Sequence, residues 1–270
     1  MMSSQSSNFH ASDGAAYEYW LGRWSSRLAG VFLDFVEFPA SGELLDIGCG
    51  TGALTFAMAD RWPARSVIGV DIAAPFIAYA RSRRPDDRPS FELGDACAMT
   101  YADGRFAGVA AQLVFLFIPK PQVALREMRR VTRSGGTVAA VVWDSRGGLV
   151  FQRMLWDTAV AIDPNARVVR DGLFANPVAI PGGLAGFFHD VGLEDIETQS
   201  LTIRMDYENF EDYWQPFLGG QGPVGAYFAN LSPGLNARIK EAVRDAYCSG
   251  SRDGPRSLTA SAWAVRGKAP

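Results

Sequence analysis

The residues best placed to do chemistry lie in one short stretch, Leu44-Leu45-Asp46-Ile47-Gly48-Cys49-Gly50-Thr51-Gly52-Ala53, where an aliphatic run meets three glycines and then a helix-forming segment. Glycine lets the backbone turn sharply and lets a ligand approach where a Cβ would collide, and the start of the following helix offers unpaired N–H groups. Gly48, Gly50 and Gly52 therefore predict a nucleotide-like ligand, since a plain strand-to-helix turn needs only one glycine. They do not settle which nucleotide. Gly48-x-Gly50-x-x-Ala53 also satisfies the dinucleotide fingerprint, with Asp71 about 20 residues on, where a ribose-binding acid belongs. Asp46 bears on the choice. A carboxylate two residues before the first glycine is expected to be partly buried and to need a cationic or hydrogen-bonding partner. An ammonium on the ligand would supply one; a pyrophosphate would be repelled.

Groups for acid–base work are few. The chain has two histidines. His10 falls in a polar amino-terminal tail, and His189 sits at an apparent helix end in Phe187-Phe188-His189-Asp190-Val191-Gly192. Tyr17, Tyr19 and Asp144 are weaker candidates, so no catalytic residue is assigned. Cys49, Cys97 and Cys248 are widely separated, with neither a CxxC nor a paired histidine spacing. They predict no metal site and a reduced, cytoplasmic protein.

These residues must be positioned by alternating strands and helices. Short β-branched or aliphatic runs at 43–47, 66–70, 90–93, 107–114 and 136–143 read as strands of a parallel sheet, with helices at 53–61, 74–84 and 121–132 between them. In the last helix Val123, Leu125, Met128 and Val131 are spaced for one apolar face, and Ser134-Gly135-Gly136 is expected to stop it before the next strand. After Trp143 the alternation fails amid Gly and Pro punctuation. A helix at 183–191, a strand at 194–204 and a last strand from Ser257 to Val265 follow. The predicted organisation is a tail over 1–12, an N-terminal helical cap segment over 13–40, a ligand-binding core over 41–144 and a lid insertion over 145–182. Residues 183–270 complete the core, with a second inserted lid segment at 206–256.

At 270 residues and 48% hydrophobic composition the chain can bury a full core. A formal net charge of -3 provides no cationic field for phosphate backbones, which argues against nucleic acid as a partner. No run approaches the roughly 18 to 20 apolar residues that span a bilayer, and the polar amino terminus lacks the pattern of a secretory signal.

Taken together, the segment from about Tyr17 to Trp143 resembles a class I S-adenosylmethionine-dependent methyltransferase of the small-molecule, type 11 kind. The likeness is carried by Asp46-Ile47-Gly48-Cys49-Gly50-Thr51-Gly52, Val67-Ile68-Gly69-Val70-Asp71, Gly94-Asp95-Ala96 and Ala124-Leu125-Arg126-Glu127-Met128-Arg129-Arg130-Val131, with Trp20-Leu21-Gly22-Arg23-Trp24-Ser25 upstream. The resemblance implies an α/β, Rossmann-like, mostly parallel seven-stranded sheet of order 3-2-1-4-5-7-6, with helices on both faces and a helical cap. It implies S-adenosyl-L-methionine as cofactor, with Asp71 accepting from both ribose hydroxyls and Asp95 from the adenine amine. Ala96 would offer its N–H to an adenine ring nitrogen, Ile72 would pack on the adenine face, and Gln112 would approach the methionine portion. Arg23 would pair with the methionine carboxylate, and Tyr17, Trp20 and Trp143 would line the substrate chamber. Two departures from the family pattern, Phe106-Ala107 for Phe-Asp and Ser134-Gly135-Gly136 for Pro-Gly-Gly, leave these residues untouched.

The implied reaction is metal-independent, in-line methyl transfer to a small-molecule acceptor, by positioning rather than by a dedicated base. Ala111-Gln112-Leu113-Val114 lacks the Asn/Asp-Pro-Pro-aromatic motif of adenine and glutamine methylases, and the aromatic-rich lid suggests an apolar or planar acceptor. Two alternatives stand at this point: a catalytically silent S-adenosylmethionine or S-adenosylhomocysteine binder, and an NAD(P)-dependent oxidoreductase.

Overall fold

A computed structural model of the chain describes residues 13–84, 88–220 and 222–270. The expected tail over 1–12, with His10, lies outside the described residues. The described residues open with a single turn α1 (Gly14–Tyr17), a π-helical turn (Glu18–Gly22) and α2 (Arg23–Phe35). Then follow β1 (Leu44–Ile47), α3 (Ala53–Arg61), β2 (Val67–Asp71), α4 (Ala74–Ser82), β3 (Ser90–Leu93) and β4 (Phe106–Gln112). A 3-10 turn (Phe115–Phe117) leads to α5 (Pro121–Val131) and β5 (Thr132–Trp143). Beyond it lie α6 (Val150–Ile162), α7 (Ala166–Phe174), α8 (Gly183–Asp190) and β6 (Glu194–Tyr207). The last elements are α9 (Phe210–Trp214), a 3-10 turn (Gln215–Leu218), α10 (Gly222–Ala229), α11 (Pro233–Cys248) and β7 (Arg256–Lys268).

The strands form one sheet of order β3-β2-β1-β4-β5-β7-β6, the order expected. The first five strands run parallel, and β7 is antiparallel to both β5 and β6. All residues of β1 and β4 are buried, as strands covered on both faces must be, which explains their near-continuous apolar character. Chain order reverses between β1 and β4. In an open parallel sheet the carboxyl ends of the strands diverge at such a point and leave a crevice.

The strand and helix bounds agree with expectation to within a few residues, except at one junction. The α5 helix ends at Val131 and β5 starts at Thr132, so Ser134-Gly135-Gly136 lies inside the strand rather than stopping the helix. The pairing of β4 with β5 is irregular there, jumping from Phe106↔Thr132 to Gly108↔Thr137. The extra residues on β5 are accommodated as a bulge, for which glycine is well suited. The apolar face of α5 is Ala124, Leu125, Met128 and Val131, so Ala124 takes the buried place expected of Val123.

The helices after β5 and those between β6 and β7 pack on one another, α6 against α11. Two buried tyrosines join them. The Tyr213 hydroxyl donates to the Phe151 carbonyl at 2.6 Å, and the Tyr227 hydroxyl donates to an Asp163 carboxylate oxygen at 2.8 Å. Phe151, Tyr213, Trp214, Phe217 and Phe228 are buried in ring contacts with one another, and Trp156 is buried against the Tyr227 ring. The aromatic richness of these segments is thus their own core, and none of these rings lines the central cleft. The inference from those rings to a planar acceptor therefore falls away.

Candidate active site

The cleft lies where the topology predicts, at the carboxyl ends of β1, β2 and β4, with about 740 Å³ of empty space that includes open solvent at its mouth. Each of its walls grows from a strand end. After β1 the backbone takes positive φ at Gly48 (65°), Gly50 (54°) and Gly52 (94°), values that side chains with a Cβ avoid. The three glycines do different work. A Cβ on Gly48 would run into Val114, and one on Gly52 would meet Phe56 at 2.7 Å. Around Gly50 only Phe76 comes near, at 3.9 Å, so Gly50 keeps the cleft floor open. Gly48 and Gly50 line the cleft, while Gly52 begins α3 and packs away from it.

At the end of β2, Asp71 accepts from the Gly50 amide (2.8 Å) and from the Ala73 amide (2.8 Å), one on each carboxylate oxygen. Asp71 is not the N-cap of α4, which is Ala73, but it ties the turn before that helix to the glycine turn. Burial raises its pKa, and the backbone amides partly offset this. Ile72, Asp95 and Ala96 line the same cleft. Asp95 accepts from the Cys97 amide at 2.8 Å, and the following loop is clamped by α5, with Glu127 accepting from the Met99 amide and Arg130 donating to the Met99 carbonyl, both at 2.9 Å.

A smaller adjoining lobe of about 300 Å³ reaches Asp46, Ser25, Thr51 and Gln112. Asp46 is buried; one carboxylate oxygen accepts from the Thr55 hydroxyl at 2.6 Å, and the other, Oδ1, has no partner among the described residues. Burial, with a smaller repulsion from Asp71, pushes its carboxyl up to about 7. Gln112 donates from Nε2 to the Ser25 carbonyl at 2.9 Å, which orients its amide and leaves Oε1 buried, with no partner among the described residues. Two buried acceptors lacking donors thus flank the glycine turn, an arrangement that costs stability unless a ligand donor meets them.

Arg23 is placed elsewhere. It pairs with Asp212 at 3.0 Å and lies over the Trp24 ring at 4.3 Å, outside both lobes. In the Gly-Arg-Trp-Ser segment it is Ser25 that reaches the cleft. Tyr17 lines both lobes, and burial pushes its phenol up to about 12. Trp20 and Trp143 are buried in the core and line neither lobe, and neither indole N–H has an acceptor among the described residues. His189 is exposed near the end of α8, and Asp144 accepts from the Gly147 amide in a turn at 2.9 Å. Sequence reasoning missed Leu113, which lines both lobes with φ 63°. A non-glycine residue held in that conformation marks a strained, over-determined site, and no residue-type signal announced it. Among the described residues no group of three or more His, Cys, Asp or Glu could hold a metal ion, and no helix is long and apolar enough to cross a membrane.

This sheet order, with a glycine turn after β1 and acids closing β2 and following β3, defines the class I methyltransferase architecture. A family model for a methyltransferase domain, type 11, matches residues 45–140. The nocamycin O-methyltransferase of Saccharothrix syringae is 30% identical over 190 residues, covering 64% of this chain and 67% of that protein. A demethylmenaquinone methyltransferase of Roseiflexus castenholzii is 34% identical over 103 residues, covering 38% of this chain and 43% of that protein, so the match spans less than half of that relative's length. The solved structure of Haemonchus contortus phosphoethanolamine N-methyltransferase 2 superposes with a TM-score of 0.59 at 16% identity, covering 95% of this chain and 57% of that one. The chain belongs to the type 11 family of S-adenosylmethionine-dependent methyltransferases. The dinucleotide reading of the glycines gives way to that assignment.

Proposed function

We propose that the protein transfers a methyl group from S-adenosylmethionine to a small-molecule acceptor, by in-line displacement and without a metal. The observation that carries this reading is the pair of buried, donor-seeking oxygens, Asp46 Oδ1 and Gln112 Oε1, beside a glycine turn with room at Gly50. An amino-acid ammonium satisfies both; a pyrophosphate satisfies neither. Asp71 offers its remaining lone pairs to the ribose hydroxyls, Asp95 and the Ala96 N–H meet the adenine, and Ile72 packs on its face. When bound, the cofactor supplies an already activated methyl group, so the protein's task is alignment and exclusion of water. Tyr17, with its phenol held near 12, closes the cleft rather than serving as a base at neutral pH.

The acceptor enters against Tyr17, Leu113 and Phe117, which line the cleft. The relatives named for demethylmenaquinone and for nocamycin support a small oxygen-bearing molecule. The unpaired cysteines suit the reducing cytoplasm, where we place the protein. Transfer of labelled methyl from S-adenosylmethionine across a panel of quinols, phenols and carboxylic acids tests the proposal. Incorporation into an oxygen-bearing member supports it. Tight cofactor binding with no transfer to any member would instead favour a catalytically silent binder.

A further inference from the structure

We propose that Glu18 is a positioning residue of this site: it latches the N-terminal segment onto the glycine turn by bridging Thr51 and Arg83, and so sets how long the cofactor stays bound. The proposal rests on the cofactor reading above.

The latch is built from three elements. The Glu18 carboxylate accepts from the Thr51 hydroxyl and from Arg83 Nη1 at 3.3 Å. Arg83 Nη1 also donates to the Thr51 carbonyl at 3.0 Å, and its guanidinium lies over the Phe56 ring at 4.9 Å. Thr51 sits between Gly50 and Gly52 in the turn, so Glu18 holds the turn itself. The pair is sheltered, with Glu18 19% and Arg83 31% exposed, which strengthens a charge-assisted contact relative to a surface one.

The backbone is shaped to deliver Glu18 there. It begins the π-helical turn Glu18–Gly22, a rare conformation concentrated at functional sites. A Cβ on Gly22 would collide with the Glu18 carboxyl, so Gly22 provides the space into which that side chain folds. The rest of the segment docks on one face of α4 and its C-cap. Gly14 lies against Tyr79, and the Tyr17 ring is 5.2 Å from that of Phe76. Phe76, Tyr79 and Arg83 follow the i, i+3, i+7 spacing of a single helical face. A helix of one turn has little stability of its own, so α1 and Tyr17 stay over the cleft through these contacts. Among them, Glu18 makes the charged, directional one.

The test uses the full chain as wild type, Glu18→Ala, Arg83→Ala, the double variant and the milder Glu18→Gln. Two quantities are measured: amide hydrogen exchange of residues 14–22 without ligand, and the dissociation rate of S-adenosylhomocysteine by stopped flow. The latch predicts faster exchange in that segment and roughly tenfold faster release in each alanine variant, with melting temperature lowered by no more than about 2–4 °C. The double variant should release no faster than the worse single one, because both break the same contact. Glu18→Gln should fall between wild type and Glu18→Ala. Wild-type release and exchange in the single variants, or additive effects in the double, would overturn the proposal. Failure of the wild type to bind would overturn the cofactor reading, while exchange would still decide the latch.

Discussion

Asp46 offers a pH signature that follows from its placement. Its carboxyl is fully buried, has one oxygen without a donor, and titrates at about 7 instead of 3.8. With a folded pKa above the unfolded value, the sign is fixed. Folding is unpenalised below about pH 4, and stability is lost as pH rises towards 7. The loss comes to about 4 kcal/mol, because each pH unit separating the folded and unfolded pKa values is worth about 1.36 kcal/mol. A ligand ammonium reverses this penalty by holding the carboxylate ionised. Binding therefore releases a proton below about pH 7 and strengthens as pH rises. For a bound pKa well below 6, the affinity for S-adenosylhomocysteine should be about eightfold weaker at about pH 6 than at about pH 7.5. Isothermal titration in buffers of different ionisation enthalpy measures both the affinity and the proton released. Asp71 is also raised by burial, so Asp46→Asn is the necessary control, and it should flatten the profile. A flat profile in the wild type, or an unchanged slope in Asp46→Asn, would refute the reasoning.

Other expectations separate residues that the sequence treats alike. Gly48→Ala should destabilise the fold by at least about 1–2 kcal/mol in urea denaturation, from its positive φ, with the collision against Val114 adding to that. Gly50→Ala meets open space, so it should cost only the backbone part while reducing S-adenosylhomocysteine affinity by more than about tenfold. Arg23→Ala should lose about 1 kcal/mol of stability through its Asp212 pair and Trp24 contact, with cofactor affinity within about twofold of wild type by calorimetry. Trp143→Phe deletes a buried, unpaired N–H and should change urea stability by less than about 1 kcal/mol, whereas Trp143→Ala should cost about 3–5 kcal/mol.

What could be read in advance was what depends on residue type and local spacing. Gly48, Gly50, Asp71, Ile72, Asp95, Ala96 and Gln112 all line the cleft, because each sits at a strand end whose position follows from hydrophobic patterning and the order of parallel crossovers. What escaped depends on distant partners. Arg23 could not be assigned from its helix alone, since its partner Asp212 lies 189 residues away. Glu18 looks like an ordinary acid in the sequence because Arg83 is 65 residues on. The lid aromatics are open to misreading as a ligand wall for the same reason: whether a ring faces a cavity or another ring is set by tertiary packing. The bulge at Ser134-Gly135-Gly136 escapes because the same residues serve equally well to end a helix or to bend a strand.

The central claim is that the cleft after β1 holds S-adenosylmethionine with Asp71 at the ribose. Calorimetry with S-adenosylhomocysteine on wild type and Asp71→Ala, each checked for folding by circular dichroism, tests it most directly. Saturable one-to-one binding to the wild type, weakened at least about tenfold in the variant, is the predicted result. No measurable binding to folded wild-type protein, or equal affinity in Asp71→Ala, would contradict it.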